Sequence, residues 1–377
     1  MTTQLFVPAF RIEECLAAIR ECLEKGWTGL GFKTVQFEAE WSAYTGLPHS
    51  HFLSSNTVGL HLAMHMFKTA GGWSDGDEVI TTPLTFVSTN HAILYCNLKP
   101  VFADVDESLC LDPEDIRRKI TPRTKAVVFV GIGGNIGQYE KVVDLCREHK
   151  LRLILDAAHM SGTRVAGRHV GAEADCAVFS FQAVKNLPTA DSGMICFRDA
   201  SDDARARKLT WLGINKDTYA RTTSEGTYKW MYDVEELGFK YHGNSIMAAI
   251  GLVQLRYLDR DNAYRRQLAA WYEQGLAGAQ DVKVVPVAPS CESSRHLVQI
   301  RVPRRDELML ALHATGIYPG VHYRDNTDYG LYAEGRGTCP RAHQASTEIL
   351  SLPMHLGITK HEVEKICTVV KAHVSAR

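Results

Sequence analysis

The fold is decided by the stretch Cys176-Ala-Val-Phe-Ser-Phe-Gln-Ala-Val-Lys-Asn-Leu-Pro-Thr-Ala-Asp-Ser-Gly-Met-Ile-Cys-Phe197, in which two apolar, strand-like runs flank a polar loop. The loop carries one lysine, Lys185. A lysine held between buried strands loses hydration, so its pKa falls, and a partly neutral amine can form a Schiff base. The alternative is a loop lysine whose ammonium group reaches solvent. This stretch alone leaves both interpretations open.

The size and charge of the chain set the first limits. At 377 residues it exceeds the length at which a single core stops growing, which predicts one large and one smaller domain. Its 42 basic and 43 acidic side chains give a net charge of −1, so no overall field attracts nucleic acid or a membrane. Any anion must therefore be bound by a local site.

The ten cysteines are scattered singly through apolar runs, and no C-x-x-C pair indicates a metal or redox site. They are typical of small buried side chains in a reducing compartment. The N-terminus lacks a charged leader followed by an apolar block, and no run reaches membrane-spanning length. We therefore expect a cytoplasmic protein without a metal centre.

Short β-branched runs alternate with helical patterns along the first half of the chain. The runs are 78–82, 101–105, 126–130, 152–156 and 176–181, and the helical patterns between them are 88–97, 112–120 and 139–150. This alternation predicts an α/β fold with a mostly parallel sheet, whose ligands lie beyond the carboxyl ends of the strands. Residues 244–276 are predicted to form one long helix that leads into a smaller α+β unit past residue 280.

Two strand ends carry polar side chains. Asp156 ends an apolar run, where a buried carboxylate is costly without a cationic partner. Ser55 or Asn56 is predicted to cap a helix whose free N–H groups could bind an anion. The alternatives are an aspartate that only caps a turn, and a helix start that binds nothing.

A glycine-rich loop, Gly131-Ile-Gly-Gly-Asn-Ile-Gly137, resembles a dinucleotide-binding turn only superficially. The G-x-G-x-x-G spacing requires glycine where the chain has Ile136, and no P-loop motif occurs. We therefore exclude a nicotinamide site here.

An irregular segment, 213–238, contains the aromatic residues Tyr219, Tyr228, Trp230 and Tyr232. Irregular segments of this length usually have a functional role or cover an interface, and we predict one of these roles here.

The strand ends together supply the groups that pyridoxal phosphate requires. The cofactor needs an amine, donors for its phosphate, a flat side chain against its ring and a carboxylate beside its ring nitrogen. The candidates, in that order, are Lys185; Asn56, Thr57 and Ser180; Phe86; and Asp156.

With these motifs in order, the chain resembles the DegT/DnrJ-type sugar aminotransferases, which are fold-type I pyridoxal phosphate enzymes. The matching stretches are Trp27-Thr-Gly-Leu-Gly31, Ser54-Ser-Asn-Thr57, Thr85-Phe-Val-Ser-Thr89, Asp156-Ala-Ala-His159, Ser180-Phe-Gln-Ala-Val-Lys-Asn186, Gly238-Phe-Lys-Tyr241, Ala248-Ala-Ile-Gly251, Gly320-Val-His-Tyr323 and Ser351-Leu-Pro-Met354. The resemblance implies an aspartate-aminotransferase-like fold with a large cofactor-binding domain, 1–250, and a smaller C-terminal α+β domain, 251–377.

The resemblance also implies roles for individual residues. Lys185 would bond to the cofactor and move a proton, and Asp156 would pair with its ring nitrogen. Phe86 and His159 would contact the ring of the cofactor. Its phosphate would be bound by Asn56, Thr57 and Ser180, and the substrate by Trp27, His322 and Tyr323. Members are typically homodimers with shared active sites, in which the partner's loop after Gly238 completes the phosphate site; that position is Lys240 here, where asparagine is common. Gln182 likewise stands where histidine is frequent.

The implied reaction is amino transfer. Relatives that dehydrate sugars replace the lysine with histidine, so Lys185 favours transfer from an amino acid, which we expect to be glutamate, to a nucleotide-linked deoxy-keto-sugar. One alternative is another fold-type I enzyme that acts on amino acids, with Arg295 or Arg301 binding the α-carboxylate. The other is a regulator that binds the cofactor without turnover.

Overall fold

The centre of the protein is a seven-stranded sheet covered by helices. The computed structural model describes residues 2–215 and 232–375, so Tyr219, Tyr228 and Trp230 of the aromatic segment lie outside the described residues. The strands are β1 (His49–Leu53), β2 (Glu78–Thr81), β3 (Lys99–Phe102), β4 (Thr124–Val130), β5 (Arg152–Asp156), β6 (Arg164–Val165), β7 (Arg168–His169), β8 (Cys176–Ser180), β9 (Gly193–Phe197), β10 (Lys283–Val284), β11 (Cys291–Glu292), β12 (Val298–Arg301) and β13 (Ile349–Leu352).

The helices follow the predicted alternation closely. They are α1 (Ile12–Glu24), α2 (Phe32–Thr45), α3 (Asn56–Gly71), α4 (Val87–Tyr95), α5 (Pro113–Lys119), α6 (Tyr139–Glu148), α7 (Ala200–Leu209), α8 (Ser245–Leu255), α9 (Leu258–Leu276), α10 (Arg305–Ala314), α11 (Pro340–Glu348) and α12 (Lys360–Ser375). Within the two described ranges, no helix has the length and apolar character needed to cross a membrane.

The large sheet has the order β1-β9-β8-β5-β4-β2-β3. Only β9 runs antiparallel to its neighbours, β1 and β8, and the remaining pairs are parallel. The mostly parallel α/β sheet predicted from the alternation is confirmed. Because β5 and β8 are adjacent and parallel, Asp156 and the loop that follows Ser180 lie at the same edge.

Alternate side chains along the strands enter two different cores. Phe129, Leu155 and Phe179 pack on one face of the sheet, whereas Ile154 and Val178 pack on the other. This period of two, with both faces covered, explains why the strands are apolar throughout.

The C-terminal unit has its own core around the antiparallel sheet β10-β12-β13. Helix α9 links the two parts, because Leu258 packs in the large core and Leu268 in the smaller one. The domain boundary after residue 250 stays a prediction. The prediction of a single helix over 244–276 is wrong, because two helices, α8 and α9, occupy this range. They are separated by a tighter turn, in which the Tyr257 N–H donates to the carbonyl of Gln254, three residues earlier (3.1 Å).

The N-terminal segment also packs on the C-terminal unit. Thr3 forms a bridge with Ile317, and the Met354 N–H donates to the Leu5 carbonyl (2.9 Å). These contacts bring Phe6 to the edge of the large sheet where Asp156 lies.

Candidate active site

A cavity of about 750 Å³ opens at the carboxyl ends of the parallel strands. Nine of the eleven predicted site residues line it: Asn56, Thr57, Phe86, Asp156, His159, Ser180, Lys185, His322 and Tyr323. The Gly320 and Ser351 motifs meet there too, since their main chains are paired and His322 Nδ1 lies 2.9 Å from Ser351 Oγ. The sequence motifs, far apart in the chain, therefore converge on one site.

Lys185 enters this cavity from a tight turn after β8. Its N–H donates to the Gln182 carbonyl (2.8 Å), and the Gln182 side-chain oxygen accepts the Val184 N–H (3.0 Å). Burial lowers the pKa of Lys185 to about 8, although Asp156 acts in the opposite direction. These hydrogen bonds fix the turn that carries Lys185, and the lowered pKa leaves its amine partly neutral near pH 7.

Asp156 is a buried carboxylate, 4% exposed, at the end of β5. It accepts hydrogen bonds from the Thr89 hydroxyl (2.7 Å), the Ala158 N–H (3.2 Å) and the Asn56 amide (3.3 Å). Burial nevertheless raises its pKa above the ordinary value, against these hydrogen bonds and Lys185. Within the described ranges it forms no salt bridge, so its negative charge is available to a cationic group in the cavity.

His159 is held as a neutral imidazole. Burial, followed by the charges of Lys185 and His322, places its pKa well below the ordinary value. The Gly133 N–H donates to Nδ1 (3.1 Å), so the ring proton belongs on Nε2, which lies 3.2 Å from the Tyr323 hydroxyl. Nε2–H can therefore donate to the Tyr323 oxygen, which leaves the tyrosine proton free to donate to a ligand.

The glycine-rich loop that resembles a dinucleotide turn supports this histidine. The Gly133 N–H donates to His159, and the Gly133 carbonyl accepts the main-chain N–H of His296 (3.1 Å). A Cβ at Gly134, where φ is +86°, would lie 2.3 Å from Ser294 Oγ. The glycines thus permit close packing between the large sheet and the C-terminal unit.

The start of α3 supplies main-chain donors at the opposite wall. Ser55 is the N-cap, and its hydroxyl accepts the Val58 N–H (3.3 Å). The Asn56 amide donates to the Val178 carbonyl (2.9 Å) as well as to Asp156, so its side chain fixes the helix start against the sheet. A Cβ at Gly193 would lie 2.7 Å from the Asn56 nitrogen, so this glycine allows the helix to approach β9.

Comparison with known proteins decides the family. The model of the DegT/DnrJ/EryC1/StrS aminotransferase family matches residues 11–371. The chain belongs to this family. Its structure is similar to the aminotransferase TlmJ from Streptoalloteichus hindustanus, with 33% identity, a TM-score of 0.91 and full coverage of both chains.

Two further solved structures have the same fold. The sugar aminotransferase CalS13 from Micromonospora echinospora is 28% identical, with a TM-score of 0.89 and coverage of 98% of this chain and 99% of CalS13. Spr1654 from Streptococcus pneumoniae, solved in a PMP-form, is 25% identical, with a TM-score of 0.90 and coverage of 98% of each chain. The fold is therefore that of a fold-type I aminotransferase.

The cavity of this family member fits pyridoxal phosphate. A buried acid that forms no salt bridge with residues 2–215 or 232–375 faces the same space as a buried amine, and a helix start offers N–H groups to a phosphate. Phe86 and His159 supply flat side chains. The protein is a pyridoxal phosphate-dependent transaminase.

Several residues that line the transaminase cavity escape prediction from the sequence: Phe6, Thr89, Ser192, His296, Arg324 and Tyr329. His296 lies between Phe6 (ring centroids 5.2 Å apart) and His159 (4.3 Å), and its Nδ1 contacts Asn186 Oδ1 at 2.9 Å. Its only signal in the sequence is a histidine just before an apolar strand.

Two predicted residues of the transaminase lie elsewhere. The Trp27 indole N–H donates to the Leu30 carbonyl (2.7 Å), and the Lys240 ammonium lies 3.1 Å from the centroid of the Trp211 ring. Neither residue lines the cavity, so their predicted roles stay predictions. Arg295 and Arg301 also lie outside it, in salt bridges to Glu273 and Glu348 respectively.

Proposed function

We propose that this transaminase moves an amino group from an amino acid, glutamate, to a nucleotide-linked deoxy-keto-sugar. The observation that carries the proposal is the cavity in which Lys185 faces Asp156. Its volume of about 750 Å³ lies in the upper part of the usual range for ligand pockets and suits a cofactor together with a large substrate. Similarity to CalS13, a sugar aminotransferase, supports a sugar as the acceptor.

Each residue has a defined task in this proposal. When bound, pyridoxal phosphate supplies an aldehyde that exchanges amino groups and a ring that withdraws electrons. Lys185 Nζ would hold the cofactor at that aldehyde, and its amine would carry the proton to and from the substrate carbon. The negative charge of Asp156 would keep the ring nitrogen of the cofactor protonated.

The remaining residues bind and orient. The N–H groups at the start of α3, with the hydroxyls of Thr57 and Ser180, hold the phosphate. Phe86 and His159, which line the cavity, would pack against the ring, and His322 and Tyr323 would contact the substrate. Because Asn56 uses its amide on Asp156 and Val178, its share in phosphate binding is the main-chain N–H.

The amino-acid-specific alternative has less support. It requires an arginine for the α-carboxylate, and the two predicted candidates, Arg295 and Arg301, are engaged by Glu273 and Glu348 away from the cavity. The arginine that does line the cavity, Arg324, has a side chain that is 59% exposed rather than buried beside Lys185. A regulator without turnover is less supported because the matching family model and the similar structure of CalS13 are those of aminotransferases.

We also propose a cytoplasmic homodimer with shared active sites. Lys240 lies outside the cavity of its own chain, in a segment that exposes Val234 and, to 87%, Leu237. The exposed apolar side chains of Val234 and Leu237, close in sequence to the Lys240 cation, are suited to contact with a second copy of this chain. Lys240 of that copy would then meet the cofactor phosphate.

The first experiment follows the cofactor absorbance. Glutamate added to the loaded protein should convert the aldehyde-derived absorbance to that of pyridoxamine phosphate, and a nucleotide keto-sugar should then restore it. Lys185→Ala should abolish both changes, whereas Lys99→Ala, an exposed lysine at the start of β3, serves as the matched control. Full activity of Lys185→Ala would refute the assignment. Restoration by 2-keto acids alone would favour the amino-acid-specific alternative.

A further inference from the structure

We propose that Arg324 and Tyr329 form a binding subsite for the diphosphate of the sugar nucleotide at the mouth of the cavity. Both side chains line the cavity. The inference rests on the proposed function, because it assumes that the acceptor carries a nucleoside diphosphate.

The guanidinium of Arg324 is arranged to receive an anion. It lies over the Tyr329 ring, with Cζ 5.1 Å from the centroid, and its side chain is 59% exposed. Its Nε contacts the Asp328 carboxylate at a long distance, 3.5 Å. Its terminal nitrogens have no hydrogen-bond partner among residues 2–215 and 232–375, so both can donate to phosphate oxygens.

A rigid frame holds the subsite in place. The buried amide of Asn326, between the two residues, donates to the Thr85 carbonyl (2.8 Å) and accepts from the Asn90 amide (2.8 Å). The Asn326 N–H also donates to the Pro83 carbonyl (2.8 Å). The main chain between Arg324 and Tyr329 is thereby fixed to the same sheet edge as the reacting groups, which lowers the cost of ordering this segment on binding.

The charges of the cavity single out this arginine. Among the described lining residues, Lys185 and Arg324 are the cationic ones apart from histidines, and Lys185 is committed to the cofactor. The lining also contains the acids Asp156 and Asp191. A sugar nucleotide brings a strongly negative diphosphate into this space, and Arg324 is the described cation of the lining that remains to bind it.

The exposed position fits a diphosphate better than the α-carboxylate of the donor. That carboxylate is one bond from the carbon that reacts beside Lys185 and must lie deep in the cavity. The diphosphate is separated from the reacting carbon by several bonds of the sugar ring and lies nearer the mouth. The planar guanidinium of Arg324, stacked on the Tyr329 ring, can bind two phosphate oxygens at once, and the edge of that ring is left to contact the nucleotide.

The test uses the cofactor-loaded enzyme with uridine diphosphate and thymidine diphosphate as probes in titration calorimetry. Arg324→Gln should weaken binding of the better probe about tenfold, and Arg324→Lys, which keeps the charge without the fork, about threefold. Arg168→Gln, at an 82% exposed side chain outside the cavity, is the matched control and should bind like the original protein. The rate of the glutamate half-reaction should stay within twofold in all three variants.

Each outcome decides a separate point. Selective loss of nucleotide binding in Arg324→Gln supports the subsite. Unchanged binding in this variant, or an equal loss in the glutamate half-reaction, overturns the subsite and leaves the proposed function standing. If the original protein binds neither probe and accepts no nucleotide keto-sugar, the nucleotide-linked acceptor is wrong, and the subsite falls with it.

Discussion

Replacing Asp156 with asparagine should make Lys185 more reactive in the cofactor-free protein while it impairs the loaded enzyme. The carboxylate is the one group that raises the pKa of Lys185 against the effect of burial. Without that negative charge, the ammonium form of Lys185 is no longer stabilised electrostatically, so the pKa of Lys185 falls further. A role of Asp156 in structure alone would not give these opposite effects.

The size of the change follows from the pKa of about 8. At pH 7 this value leaves roughly one amine in eleven neutral, against roughly one in three thousand for a lysine at 10.5. If removal of the carboxylate lowers the pKa of Lys185 by about one unit, roughly half of the amines are neutral at pH 7. The rate of labelling at pH 7 should then rise about fivefold.

Competitive acetylation of the cofactor-free protein between pH 6 and pH 11, read by mass spectrometry of the Lys185 peptide, measures this quantity. Exposed Lys99 is the internal reference. The labelling rate of Lys185 should level off above pH 8 in the original protein and about one unit lower in Asp156→Asn. A rate that still rises tenfold per unit at pH 10, or an identical profile in the variant, would refute the reasoning. Turnover of loaded Asp156→Asn should be largely lost, because in the proposed mechanism the ring nitrogen would lose its negative partner.

Two other predictions concern stability. Gly193→Ala should lower the free energy of unfolding by about 1–3 kcal/mol and weaken cofactor binding, because its Cβ would lie 2.7 Å from the Asn56 nitrogen and 2.8 Å from the Phe179 carbonyl oxygen. Gly29→Ala, with open space around it, is the control in urea unfolding, and equal behaviour of the two would contradict the close approach. Burial lowers the pKa of His169 to about 4, so the unfolded chain takes up a proton before the folded one as the pH falls. This residue should cost about 2 kcal/mol of stability between pH 7 and pH 5, and His169→Gln should lose that part of the pH dependence, measured by urea unfolding at both values.

The sheet could be predicted because the amino-acid composition of its strands shows that both of their faces are buried. β4, β5 and β8 are apolar on both faces, as strands covered on both sides must be, and helical patterns separate β4 from β5. The break between α8 and α9 could not be predicted, since the apolar pattern continues through Tyr257 while the main chain tightens there. Periodicity reports which face is buried, and it is insensitive to one tightened turn.

The site could be predicted where a motif fixes both a residue and its place at a strand end. Asp156, Ser180 and Lys185 follow this rule, because parallel strands bring their carboxyl ends to one edge. His296 and Arg324 depend instead on how the C-terminal unit packs across that edge, which no local pattern encodes. The glycine-rich loop illustrates the same limit, because its supporting contact with His159 depends on a residue 26 positions away.

The two charged residues at the centre of the site share one physical condition. Burial raises the pKa of Asp156 and lowers that of Lys185, so each charged form is disfavoured by loss of water. A ligand that brings a protonated ring nitrogen to the acid and an aldehyde to the amine relieves both penalties, because the acid gains an opposite charge and the amine is used in its neutral form. The hydrogen bonds of Thr89 and Asn56 hold the acid in place without neutralising it. The protein therefore keeps both groups destabilised and fixed before binding, which favours a cofactor with both features over a simple anion or cation.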